Sequence, residues 1–523
     1  MYTFSNRLRL GSYIAMTVGL ICLLTGFLTA PSNVEEAKAM VASSHGDDHG
    51  GAHGEAGSHS TEGYGGTVTA SDHGESHNGE PTDATSDTMK PEHAKSHENT
   101  TAQGENHAVE GEQEYMVSSG HQQSHTEGAN HGETHGSVSG HGGSHGEEAH
   151  GGTHDASHDE HLLHQLQNRP WAALYVAAFF FFMIALGVLA FYAIQRAAQA
   201  GWSPLLFRVM EGITAYLVPG GIVVFVILAL SVMHLNHMFV WMDADVVAHD
   251  KLLQGKAGYL NPIFFLLRAA IFLGGWIFYR EYSRRLSLAQ DQSDDNSYFV
   301  KNFRWSAAFL VFYLVTESMM SWDWIMSLDP HWFSTLFGWY VFASMFVSGI
   351  TTIAIITIYL KSKGYLEEVN DSHIHDLAKF MFGISIFWTY LWFAQFMLIW
   401  YANIPEEVTY YVARFQDYKL PFFGMLVLNF IFPLLVLMNS DYKRVNWFVI
   451  MTGLIVLFGH YLDVFNMVMP ATVGDQWHIG LPEIGGILFF GGLFVFWVFN
   501  ALTKVPLQPK RNPFIEESRQ FHY

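Results

Sequence analysis

From Gly11 to Ala30 the chain runs twenty residues without one charged side chain. At 1.5 Å per residue that is about 30 Å of helix, the thickness of a bilayer's hydrocarbon core. Nine more apolar runs follow, at approximately 171–194, 214–234, 262–279, 305–325, 336–360, 379–402, 421–438, 447–468 and 484–503. A backbone in hydrocarbon must satisfy its own hydrogen bonds, so runs of this length read as membrane-spanning helices. The expected fold is an all-α integral membrane protein of about ten transmembrane helices. The first run, preceded by Arg7 and Arg9, reads as an uncleaved anchor over residues 1–30. A signal peptide would have a shorter apolar region and a better cleavage site than Leu28-Thr29-Ala30.

Charge divides the chain sharply. Residues 31–168 hold 24 Asp or Glu, three Lys and 20 of the 29 His, so this one segment carries the whole net charge of −21. The rest balances 24 acids against 24 bases. Residues 43–161 repeat His-Gly and Ser-His units with few large apolar residues, so nothing offsets the entropy of ordering them. They read as a disordered spacer. Their imidazoles suit zinc, copper or nickel, but no fixed spacing defines a site, and no metal ligands are assigned. No basic face exists for nucleic acid. The expected parts are therefore the anchor 1–30, the loop 31–168, a helical membrane domain 169–505 and a tail 506–523.

Loop charges give an orientation. With the N-terminus inside, the inner segments carry 18 Lys or Arg and the outer ones eight, three of them in the acidic loop. The positive-inside rule then places both termini in the cytoplasm and the His-rich loop outside. Cys22 is the only cysteine. That excludes an internal disulfide, a thiolate iron–sulfur cluster and a C-x-x-C-H haem attachment, so no cofactor is held covalently in those ways. Haem b needs paired axial histidines deep in a bundle, and His460 alone lies clearly within a span.

An ionised residue in the bilayer core costs about 2.5–3.5 kcal/mol or more, so each needs a reason. Arg268 and Glu317 fall in spans four and five and are expected to pair. Ser321, one turn from Glu317, and Asp323 continue the polar face. His234 and His237, three apart, are expected to share a face of span three. His460 and Asp463, also three apart, lie on span nine, with Tyr390 and Gln395 in span seven and Asn429 in span eight. Lipid cannot satisfy these groups, so they are expected to face protein. A chain of Glu, Asp and His across the helices would carry protons.

A weak repeat joins the two halves. Asp323-Trp-Ile-Met-Ser-Leu-Asp-Pro330 is matched by Asp463-Val-Phe-Asn-Met-Val-Met-Pro470, and Pro262-Ile-Phe-Phe by Pro421-Phe-Phe. The offset is four spans, which predicts two parallel four-helix bundles, spans 2–5 and 6–9, with spans 1 and 10 peripheral.

The run Ser321-Trp-Asp-Trp-Ile-Met-Ser-Leu-Asp-Pro-His-Trp-Phe-Ser-Thr335, most specifically 329–338, resembles the NrfD/PsrC-like membrane subunits of alternative complex III, nearer to the ActF branch than to its ActC twin. The likeness covers roughly 171–505. It implies a subunit of a quinol:cytochrome c oxidoreductase in a bacterial inner membrane, without a redox centre of its own. It further implies a homologous NrfD-like partner, an iron–sulfur subunit, c-type cytochrome subunits bearing the haem, and a terminal oxidase as an alternative acceptor. Menaquinone or ubiquinone is the implied substrate, although in this family the quinol site is assigned more firmly to the twin subunit. A rival expectation is a secondary transporter fed by a metal-gathering loop, with Pro219-Gly220-Gly221 as a helix break. A third is a purely structural anchor.

Overall fold

The computed structural model describes residues 2–46 and 152–522. The greater part of the expected spacer lies outside the described residues. Ten long helices are numbered here by span: α1 (Asn6–Leu28), α2 (Gly152–Ala197), α3 (Pro204–Val232), α4 (Pro262–Gln290), α5 (Ser297–Trp324), α6 (Phe337–Ser362), α7 (Asp371–Ala402), α8 (Lys419–Leu437), α9 (Asn446–Thr472) and α10 (Leu481–Leu502). Among the described residues there is no strand. The chain is an all-α, multi-pass membrane protein.

Nine of these helices are long and apolar enough to cross a membrane, and the exception is α5. Its 28 residues make about 42 Å of helix. Glu317 and Asp323 interrupt its apolar character, and it packs among α2, α4 and α6, which cover its polar side. Helix α2 begins at Gly152, not near residue 169, so the end of the expected loop is helical. Lys38 on a short helix, Val34–Gly46, meets Asp159 of α2 at 2.6 Å.

Helices α2 to α5 close one ring and α6 to α9 a second. The expected pair of bundles is therefore present. The first helix of each ring forms the seam between them. In α2 and α6 89% of the apolar window is buried, against 33% in α4 and 28% in α7. The two cross where Gly187 faces Gly349. A Cβ on Gly187 would lie 2.1 Å from the Met345 carbonyl oxygen, and one on Gly349 2.8 Å from the Val188 nitrogen. Lipid gives helices no hydrophobic reason to associate, so small residues that let backbones meet set such crossings. Helix α1 lies along α10 by the same device: a Cβ on Gly19 would come 2.4 Å from the Phe489 nitrogen.

Candidate functional site: buried polar groups of the two bundles

The face on which α1 ends and α2 begins is called the loop face below. In the first bundle, Asn302, Ser306, Tyr313, Glu317 and Ser321 recur at helical spacing on α5, and all are buried. Glu317 is 2% exposed. Its carboxylate accepts from Ser321 Oγ at 3.2 Å. Arg268 does not reach it. The guanidinium binds Asp323 in a fork, Nε to Oδ2 at 2.6 Å and Nη2 to Oδ1 at 3.1 Å, and lies 4.1 Å from the Tyr259 ring centroid. The expected Arg268–Glu317 pair is thus replaced by Arg268–Asp323, for a reason of depth. Helix α4 starts at Pro262, only six residues before Arg268, and α5 ends at Trp324. Arg268 therefore sits near the loop face beside Asp323, while Glu317 lies six residues, about 9 Å, further in.

Toward the opposite face the first bundle holds a charged cluster with no counterpart in the sequence reading. Arg208 donates to Glu211 at 2.7 Å and to Asp291 at 2.5 Å, Arg196 approaches Glu211 at 3.6 Å, and Tyr192 donates to Glu211 at 2.9 Å. Further along, Ser283 donates to Asn302 at 2.6 Å and Tyr279 pairs with Ser306 at 2.7 Å. Hydropathy starts span three near residue 214, whereas α3 begins at Pro204. The signal available was Arg208 and Glu211, three residues apart just before an apolar run.

The second bundle is built differently. Asp463 and His460 are both fully buried on α9. Asp463 accepts from the Tyr340 hydroxyl of α6 and from Trp388 Nε1 of α7 at 2.9 Å. His460 Nδ1 lies 3.4 Å from Asp463, 2.9 Å from Ser344 Oγ and 3.5 Å from Asn429 Nδ2. Asn429 sits in a π-turn, Val427–Ile431, just before Pro433 in α8. Such single turns favour functional positions in helices. His460 Nε2, Asn429 Oδ1, Ser385 Oγ and Thr452 Oγ1 are buried without a protein partner. Gln395 is buried and donates to Tyr411 at 3.3 Å.

Two expectations fail here. Tyr390 is 64% exposed and faces away from the bundle. Trp388, Leu391 and Gln395 define the buried side of α7, and a residue two positions from Trp388 is turned about 200° from it. His234 and His237 do not share a helix face, because α3 ends at Val232 and His234 adopts a left-handed backbone, φ 57°. The two instead line a crevice of about 360 Å³ at the loop face with His161, His164, Asn168 and Asp243. The His164 and His237 rings stack at 4.3 Å. Burial first, then His164, holds the His237 pKa below its usual 6.5. Among the described residues no group of three or more His, Cys, Asp or Glu is placed to hold a metal ion.

The motif at 329–338 straps the bundles together at the loop face. His331 bonds Asp250 at 2.5 Å, Lys256 donates to the Pro330 carbonyl at 2.6 Å, and Trp332 stacks on Tyr410 at 3.8 Å. Tyr410 belongs to a short amphipathic helix, Pro405–Gln416, whose Arg414 donates to the Asn466 carbonyl at 2.9 Å. No family model matches the chain, and no curated protein matches it.

A quinol site needs a group to accept protons from the ring hydroxyls. A crevice of about 450 Å³ among the described residues offers one buried phenol, Tyr461, and no carboxylate or imidazole. Its residues do not fit quinol oxidation, whereas the crevice at the loop face carries His161, His164, His234, His237 and Asp243.

Proposed function

We propose that this chain is a membrane subunit of a quinol-oxidising respiratory complex of the alternative complex III kind. In this reading electrons pass through partner subunits to cytochrome c or a terminal oxidase. The chain itself contributes the scaffold and a proton path. The carrying observation is the Asp463–His460 pair, fully buried among Tyr340, Trp388 and Ser344 with no arginine or lysine among its hydrogen-bond partners. A carboxylate held by neutral donors and an imidazole can change protonation without losing a fixed cation, as a relay requires. Glu317, bonded to a hydroxyl, is the corresponding group of the first bundle.

The orientation with the loop face periplasmic and both termini cytoplasmic belongs to the same proposal, supported by the excess of inner Lys and Arg. The transporter reading has less support, since α3 runs as continuous helix through Pro219-Gly220-Gly221.

The test is Asp463→Asn beside Glu317→Gln in the assembled complex. Both variants should assemble at normal levels. Asp463→Asn should slow proton release coupled to quinol oxidation on the order of 10²-fold. Wild-type turnover and proton release in both variants across the neutral pH range would defeat the proposal.

A further inference from the structure

A lengthwise crevice of about 450 Å³ lies among α2, α6, α9 and α10, with Leu8 of α1 at one end. Its walls are aromatic and aliphatic, including Phe180, Phe181, Leu457 and Phe494. Along α10 it extends from Ile487 to Phe499, twelve residues or about 18 Å. That is close to one leaflet of a hydrocarbon core about 30 Å thick. Tyr461 closes the mid-membrane end, edge-on to Phe180 at 5.3 Å, its hydroxyl buried with no protein partner. Leu454 and Phe458, 56% and 53% exposed, mark the side on which the crevice opens toward lipid.

The other end is cationic. Tyr359 lines the crevice there, and the exposed Lys363 places its ammonium 5.9 Å from that ring. Arg7 and Arg9, both exposed, flank Leu8 in the sequence, and Arg9 donates to Asn6 Oδ1 at 2.8 Å. An apolar slot one leaflet long, ending on the side of the molecule that carries these exposed cations, fits an acyl chain beneath an anionic headgroup. Basic groups at a membrane surface attract anionic headgroups, while a slot lined almost wholly by aliphatic and aromatic side chains favours hydrocarbon.

We infer that this crevice holds one acyl chain of an anionic phospholipid, with its phosphate among Arg7, Arg9 and Lys363. The lipid would fill the space between the two bundles and the α1–α10 pair. It is thus a structural ligand of the seam, independent of any quinone chemistry.

Lipids retained by the full chain purified in detergent, identified by mass spectrometry, test this. Wild type should retain phosphatidylglycerol or cardiolipin well above its share of the membrane. The joint substitution of Arg7, Arg9 and Lys363 by Gln should reduce that enrichment by about fivefold for each cation lost. Leu457→Trp with Ile487→Trp, which fills the slot, should abolish it. Should the filled variant not fold, a photo-crosslinking residue at Ile487 in the otherwise native chain gives a second reading. It should capture anionic phospholipid, whereas the same residue at lipid-facing Phe264 should capture the bulk mixture. Retention of no phospholipid by wild type, capture of an isoprenoid quinone at Ile487, or unchanged enrichment after removal of the cations would overturn the inference.

Discussion

The two bundles share a plan and differ in how they treat a buried acid. The repeat aligns Asp323, one residue before the end of α5, with Asp463, nine residues before the end of α9. Asp323 is locked by an arginine fork. Asp463 has a phenol, an indole and an imidazole instead. A forked guanidinium fixes a carboxylate in one geometry. One plan therefore yields an arginine-paired acid in the first bundle and one bonded to a phenol and an indole in the second, with Glu317 taking the deeper position in the first.

The hardest way to break this contrast is to remove Arg268. Arg268→Leu should leave Asp323 buried and unpaired and destabilise the protein by about 3–5 kcal/mol. Arg268→Leu with Asp323→Leu should recover most of that, and Arg268→Leu with Glu317→Leu none of it. Thermal unfolding in detergent reads all three, and rescue through Glu317 would return the pairing to the wrong carboxylate. A smaller effect is expected at Gly459, where an added Cβ would lie 2.0 Å from Asn429 Oδ1 and drive Asn429 away from His460. Gly459→Ala should cost about 1–3 kcal/mol. Gly424→Ala on α8, where the nearest atom is 4.0 Å away, should be neutral or slightly stabilising.

The smallest effect concerns the loop face. His237 is held below its usual 6.5, so folding favours the neutral ring. Its contribution is complete above about 6.5 and is lost as pH falls below that value. Imidazole resonances should show His237 titrating lower in the folded protein than in a peptide. His164→Ala should move it back toward the ordinary value, since His164 is the second cause of the shift after burial.

Apolar run length was enough to read the helices, and the Asp-Pro repeat was enough to read the two bundles. Both are properties of a chain in lipid, where length and periodicity decide. Pairing was not legible, because it depends on depth. Hydropathy ended span four at 279, whereas α4 continues to Gln290. Centring the shorter span put Arg268 at mid-membrane and made Glu317 look like its partner. Tyr390 was misplaced because a span's composition does not say which side of the helix faces lipid. The Arg208–Glu211 cluster was missed because its charges lowered the hydropathy of the turn that carries them. His460 and Asp463, three apart on one helix, were readable. Their partners Tyr340 and Trp388 come from two other helices and carry no spacing signal.

The glycine seam between α1 and α10 has a consequence for biosynthesis. Gly19 cannot meet Phe489 until some 470 further residues have been made. At about 5–20 residues per second, that is a delay of roughly half a minute to a minute and a half. Throughout it α1 has no α10 to cover its small-residue face. Nascent chains arrested before α10 should therefore leave α1 open to cross-linking by the insertion machinery, and release should come only once the last helix has emerged.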